Sequence, residues 1–238
     1  NAHAVQHVDH VFGGDIAGSA RSVGTAAQSG HGGVDLGDAV LQQLINKGAI
    51  APESITPETL RVLLDVGRVR SPLAQEDLNF LQRFGIVRAG ATLDGETLVL
   101  GDKRCSTNLL QDDAFACVCT NMLGSRLTGG ICMTGGFFLG PGDFYECLRN
   151  MPAHELSKID MTRIDFINEL YGQEELKRAQ RRMARFMNTT MIVTLLGAAA
   201  SDALESGQVV SGVGGQYNFV AMSHALPDAR LIMMLRAT

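Results

Sequence analysis

The sequence predicts an α/β fold, on three observations. Short β-branched or apolar runs at 130–138, 188–196 and 231–235 alternate with segments of helical period. Gly and Pro punctuate the joins between them. Hydrophobic residues make up 45% of 238 residues, enough to bury a real core.

The elements follow in chain order. Residues 1–36 are rich in Gly, Ala, Ser and His, without a sustained period, and are expected to form a loosely held tail. Within that tail His3, His7 and His10 would share one helical face, but no Cys or carboxylate pair completes a metal site there, and none is expected. From Asp38, Leu41, Leu44 and Ile45 recur at helical spacing and Gly48 supplies a stop. Thr56-Pro57-Glu58 reads as N-cap, N1 proline and early acid, opening a helix through Leu60, Leu63 and Leu64 to Gly67. Ser71-Pro72 repeats the device, with Leu73, Leu78, Phe80 and Leu81 continuing to Gly85. Residues 37–84 therefore read as a helical connector and 85–238 as a C-terminal α/β domain. In the latter, 86–92 and 97–100 flank Asp94-Gly95, which favours a hairpin. The run 130–138 fits a buried strand interrupted by Gly135-Gly136, and Pro141-Gly142-Asp143 opens a helix with Phe144, Cys147 and Leu148. A helix is expected over 173–186, a buried strand over 188–196, a strand at Val209-Val210, a helix over 216–225 and a last strand over 231–235.

Composition narrows the function. The formal charge of -5, from 20 basic and 25 acidic residues, argues against a general nucleic-acid binder. No apolar run reaches the roughly 18 residues of a membrane span, and the N-terminus has no signal architecture. Cys105, Cys117, Cys119, Cys132 and Cys147 are an odd count, which fits a reducing compartment better than a disulfide framework. A cytoplasmic protein is expected. The chain starts with Asn1, which suggests a fragment or a processed product.

The strongest local feature is Val209-Val210-Ser211-Gly212-Val213-Gly214-Gly215-Gln216, a strand running through a three-glycine turn into a helix. Bare glycines let backbone N–H groups approach a ligand, and a helix N-terminus favours negative charge. Such a turn suits a phosphate, a carboxylate or a developing oxyanion, and it can equally be a tight turn and nothing more. Other candidates carry less. Cys117-Val118-Cys119 lacks a partner pair, and His154 and His224 read as cap or surface residues. Lys177, Arg178, Arg181, Arg182 and Arg185 read as a solvated helix face, with Glu174 to Arg178 an i,i+4 pair and with a phosphate contact a distant alternative. Met222, Met233 and Met234 read as core.

The segment from Ser211 to Val220 resembles the Gly-Gly-Gln segment of acetyl-CoA hydrolases and family I CoA-transferases. GICMTGGFFLGPGDF from Gly130, FINELYG from Phe166 and RFMNTTMIVTLLGAAASD from Arg185 fit the same family in order, together covering most of the chain from about Asn46. The resemblance implies an open, mostly parallel sheet flanked by helices, the second half of a longer CoA-transferase-like chain. It implies a CoA thioester as substrate with no permanently bound cofactor, a small carboxylate as acceptor if the reaction is transfer, and a homo-oligomer. Gly214 and Gly215 inherit the backbone donors to the thioester carbonyl. Asn188 inherits a polar contact to the acyl-CoA, and Gln216 and Arg230 are carried over as further CoA contacts. The family's nucleophilic glutamate has no counterpart here: Glu53, Glu58 and Glu76 lie in helix-start contexts. Thr134 stands where His is expected, Met183 where an acid is usual and Asn218 where Asp is frequent. The competing reading is a non-catalytic CoA-binding or remnant domain, and an unrelated nucleotide-binding enzyme would rest on the glycine turn alone.

Overall fold

The computed structural model describes residues 36–138, 140–212 and 214–235. The histidines at 3, 7 and 10 and nearly all of the expected tail lie outside the described residues. The described chain divides into two units between Gly130 and Ile131.

In the 36–130 unit, local capping chemistry sets the first helices. Helix α1, Ala39–Asn46, starts where the Asp38 carboxylate accepts from Leu41 N at 3.0 Å, and the same carboxylate holds Arg68 at 2.8 Å. Helix α2, Pro57–Asp65, has Thr56 as N-cap, with Thr59 Oγ1 accepting from Thr56 N. Helix α3, Gln75–Arg83, begins later than Ser71-Pro72 indicates. Asp77 accepts from Ala74 N at 3.0 Å and so caps the helix three residues downstream of the expected start. Ser71 is engaged elsewhere, its Oγ donating to Asn108 and accepting from Leu110 N. Three antiparallel strands follow, β1 Thr92–Asp94, β2 Thr97–Leu100 and β3 Lys103–Ser106, with Gly95 at φ +58° in the first turn. Helix α4, Asp112–Asn121, completes the unit. Of the expected strand 86–92 only its last residue joins the hairpin; the rest is a turn region with a lone bridge from Val87 to Leu123. Leu41, Leu60, Leu63, Leu81, Leu98 and Val118 share one core. Cys105 and Cys117 form a disulfide that ties β3 to α4, which corrects the expectation of free thiols; Cys119, Cys132 and Cys147 remain free.

The 131–235 unit contains two parallel strand pairs, each joined through helices. Strand β4, Met133–Gly135, pairs with β5, Ile159–Met161, after helices α5, Gly142–Arg149, and α6, Ala153–Leu156. Helices α7, Ile164–Asn168, and α8, Glu174–Gln180, lead to β6, Arg185–Thr189. A hairpin of β7, Ile192–Val193, and β8, Ala199–Ala200, comes next. Helix α9, Gln216–Ala225, then returns the chain to β9, Arg230–Met234, which lies parallel to β6. Phe186, Phe219, Met222, Leu226 and Ala229 pack between this strand pair and α9. The architecture is mixed α/β, with the described strands in four small sheets, two of them parallel.

Five sequence expectations are corrected in this unit. The helix over 173–186 stops at Gln180, because Ala184 and Phe186, two apart and both buried, follow the strand period and pair toward β9. The strand over 188–196 breaks at Thr190, whose N donates to Met234 O while its Oγ1 donates to Ala200 O, handing the chain from one sheet to another. Val209-Val210 is exposed and forms a single bridge to Ala203 instead of a buried strand. Met234 is likewise exposed, whereas Met222 is core. The cationic face is solvated at Arg178, Arg182 and Arg185 but not at Lys177 and Arg181, which are 2% and 5% exposed. Lys177 Nζ donates to Glu169 O and Tyr171 O, and Arg181 Nη2 donates to Phe166 O and Ile167 O. Both cations thus serve the carbonyls at and just beyond the C-terminus of α7, where positive charge is favourable. Burial first, then the charge of Arg181, pushes the Lys177 ammonium below its ordinary pKa.

Met183 occupies the left-handed region at φ +54°. A residue with a Cβ there costs about 1 kcal/mol, and Asn tolerates the conformation better. Met183→Asn is therefore expected to raise stability by up to about 1 kcal/mol, read as a higher unfolding midpoint in a denaturant titration. A midpoint equal to or below that of the parent chain would show that the backbone conformation at Met183 does not limit stability.

Candidate functional site

The C-terminal end of β6 and the N-terminus of α9 meet beside the 199–202 segment. Three side chains lock this junction. Asn188 Nδ2 donates to Gln216 Oε1 at 3.1 Å and to Thr189 O, while Gln216 Nε2 donates to Ala199 O at 3.0 Å. Ser201 Oγ donates to Gln216 Oε1 and to Thr189 O. A single glutamine at the first position of α9 thereby ties β6, β8 and the helix together.

Helix α9 has Gly215 as its N-cap, which brings no side-chain acceptor to the first helical N–H groups. Beside it opens a cleft of about 300 Å³ lined by Ala199, Ser201, Asp202, Gly214, Gln216 and Tyr217, with Gly212 and Val220 completing its wall. A Cβ added to Gly212 or Gly214 would meet nothing within 4 Å. Gly215 differs. A Cβ there would stand 3.0 Å from Asn168 Nδ2, so a side chain at 215 would press on a neighbouring carboxamide. Asn168 Oδ1 is buried and has no hydrogen-bond partner among the described residues.

The structure brings Gly214, Gly215, Gln216 and Asn188 to this junction. Arg230 stands elsewhere: it opens β9 opposite Arg185, three residues and about 10 Å along the strand from the level of Asn188. Its Nη1 donates to Ala229 O. Asn188 and Gln216 are committed to bracing the junction, and Gly214 is the expected donor that borders open cleft. Ser201, Asp202, Tyr217 and Asn168 were not singled out from sequence, although all four lie within stretches that carry the family resemblance. Among the described residues, no group of three or more His, Cys, Asp and Glu could hold a metal ion, and no helix is long and apolar enough to cross a membrane.

An uncapped helix N-terminus beside glycine amides at the carboxyl end of a parallel strand is the position where α/β folds receive anionic or carbonyl groups. Residues 140–238 match the acetyl-CoA hydrolase/transferase C-terminal domain. The matched span contains α7, β6, the 199–202 segment, the glycine turn and α9, and so the whole junction. The acetyl-CoA hydrolase/transferase match begins at Gly140, and the likeness upstream rests on the motifs alone. No curated protein and no solved structure matches the chain.

Proposed function

We propose that the chain takes part in acyl-CoA processing of the acetyl-CoA hydrolase or CoA-transferase type. The thioester carbonyl would lie at the cleft beside α9 and accept from the Gly214 amide, with Gly215 as second donor. The observation that carries this reading is the open cleft at an uncapped helix N-terminus, inside the span that matches the acetyl-CoA hydrolase/transferase domain. Asn188 and Gln216 hold the turn in place from β6, so the donors are fixed before a ligand arrives. The two parallel strand pairs support a family sheet that is open and mostly parallel. A small carboxylate acceptor, self-association and a cytoplasmic setting belong to the same reading.

The donors can stabilise an oxyanion but cannot start the reaction. Glu58 and Glu76 occupy the first turns of α2 and α3, and Glu53 is exposed in the turn before α2. None stands in the family's nucleophile context. A non-catalytic CoA-binding role is the second reading that this absence favours. Calorimetric titration of the 238-residue chain with acetyl-CoA is expected to show weak binding, without thiol release. Gly214→Val, which puts a branched side chain into open cleft, is expected to weaken that binding at least tenfold. Unchanged affinity in the variant would reduce the turn to a structural one. Sustained thiol release, with a trapped glutamyl-CoA adduct on Glu53, Glu58 or Glu76, would overturn the assignment of a nucleophile-free chain.

A further inference from the structure

We infer that Asp202 sets the acyl selectivity of this cleft, favouring short uncharged acyl groups over those that end in a carboxylate. The inference rests on the acyl-CoA reading above and concerns the same cleft. Asp202 is the one charged side chain among the residues that line it. Its carboxylate makes no hydrogen bond or ion pair among the described residues, so no cation neutralises it there. Two of the other polar side chains that line the cleft are committed elsewhere, since Ser201 and Gln216 hydrogen-bond to each other and to main-chain carbonyls.

The position of the charge is held by the backbone. Asp202 O accepts from Val210 N at 2.8 Å and from Ser211 N at 3.3 Å, pinning the residue against the segment that enters the glycine turn. Ser201 immediately before it is anchored to Thr189 and Gln216. Asp202 is therefore held among the residues that line the cleft with Gly214. A volume of about 300 Å³ lies at the lower end of small-molecule sites and suits an acyl group rather than a nucleotide. An acyl chain whose carbonyl rests on Gly214 and whose far end carries a second carboxylate would bring two like charges together in a half-enclosed space. A methyl or short alkyl end meets Ala199 and Val220 without that repulsion.

The test compares two thioesters that share the CoA moiety and differ in the acyl terminus. The 238-residue chain and Asp202→Asn are each titrated with acetyl-CoA and with succinyl-CoA. The parent chain is expected to prefer acetyl-CoA by about tenfold, and Asp202→Asn to bring the ratio within about twofold by gaining affinity for succinyl-CoA. Asp202→Glu keeps the charge and is expected to keep the preference, which separates charge from any loss of folding in the amide variant. A ratio that does not move in Asp202→Asn overturns the inference. So does an equal gain for both thioesters, which would place the charge against the CoA phosphates. Absence of binding for both thioesters in every variant overturns the acyl-CoA reading itself, and the selectivity assignment with it.

Discussion

Gly124→Ala is expected to destabilise the 36–130 unit by about 3 kcal/mol or more. A Cβ at this position would stand 1.9 Å from Gly85 O. That oxygen belongs to the main chain and cannot rotate away as a side chain would. Gly85 cannot retreat freely either: it sits at φ +68°, and on its own far side a Cβ would meet Thr128 Oγ1 at 2.7 Å and Arg126 O at 3.0 Å. The two glycines let the end of α3 run against the 124–129 segment, with Gly124 N donating to Ile86 O and Thr128 N donating to Phe84 O. Separating the backbones to admit a methyl group would break those bonds and part Phe84 and Ile86, both fully buried, from their core. Denaturant unfolding measures the loss, and hydrogen exchange in 80–90 localises it. Gly48→Ala is the control, since a Cβ there meets nothing within 4 Å and only the φ of +73° is penalised, at about 1 kcal/mol. A Gly124→Ala chain within 1 kcal/mol of the parent would show that the backbones are not held this close.

Arg181→Ala is expected to cost about 3 kcal/mol and to release the 164–170 segment first. Removing the guanidinium takes the Nη2 donor from Phe166 O and Ile167 O, and the loss of a donor to a buried carbonyl costs about 1–3 kcal/mol. It also removes the contact of Nη1 with Met222 Sδ, which links α8 to the core beneath α9. Lysine is a poor replacement, because a single ammonium does not reproduce the planar fork that reaches the two carbonyls through Nη2 and Met222 Sδ through Nη1. Hydrogen exchange should rise across 164–170 before it rises in α9, while the global midpoint falls. Protection in that segment equal to the parent's would show that Arg181 is a passenger there.

Local chemistry was legible in the sequence, and long-range pairing was not. The helices 39–46, 57–65 and 216–225 follow from caps and apolar spacing within ten residues of each other. The basic run after Glu174 has helical spacing too, yet two of its members are buried, because main-chain carbonyls from α7 and the residues after it supply a polar interior that periodicity cannot reveal. Strand β6 was hidden for the same kind of reason: its partner β9 lies more than forty residues away, and their pairing decides where α8 must end. At the site, Gly214, Gly215, Gln216 and Asn188 were reachable through the motifs of the family. Asp202 ends one of those motifs, but its place at the cleft was not legible, since its relation to the turn depends on hydrogen bonds from 210 and 211. Gly215 was read as a residue kept bare for a ligand, whereas the nearest obstacle to a side chain there is Asn168.

That last contact has a consequence for how the sequence can drift. Asn168 belongs to the FINELYG stretch and Gly215 to the glycine turn, nearly fifty positions apart in the chain. Any side chain gained at 215 is opposed by the carboxamide at 168, and any larger residue at 168 presses on the turn. The two positions are therefore packed against each other: a methyl group at 215 needs the Asn168 carboxamide to move by a few tenths of an ångström, and a shorter residue at 168 would leave it room.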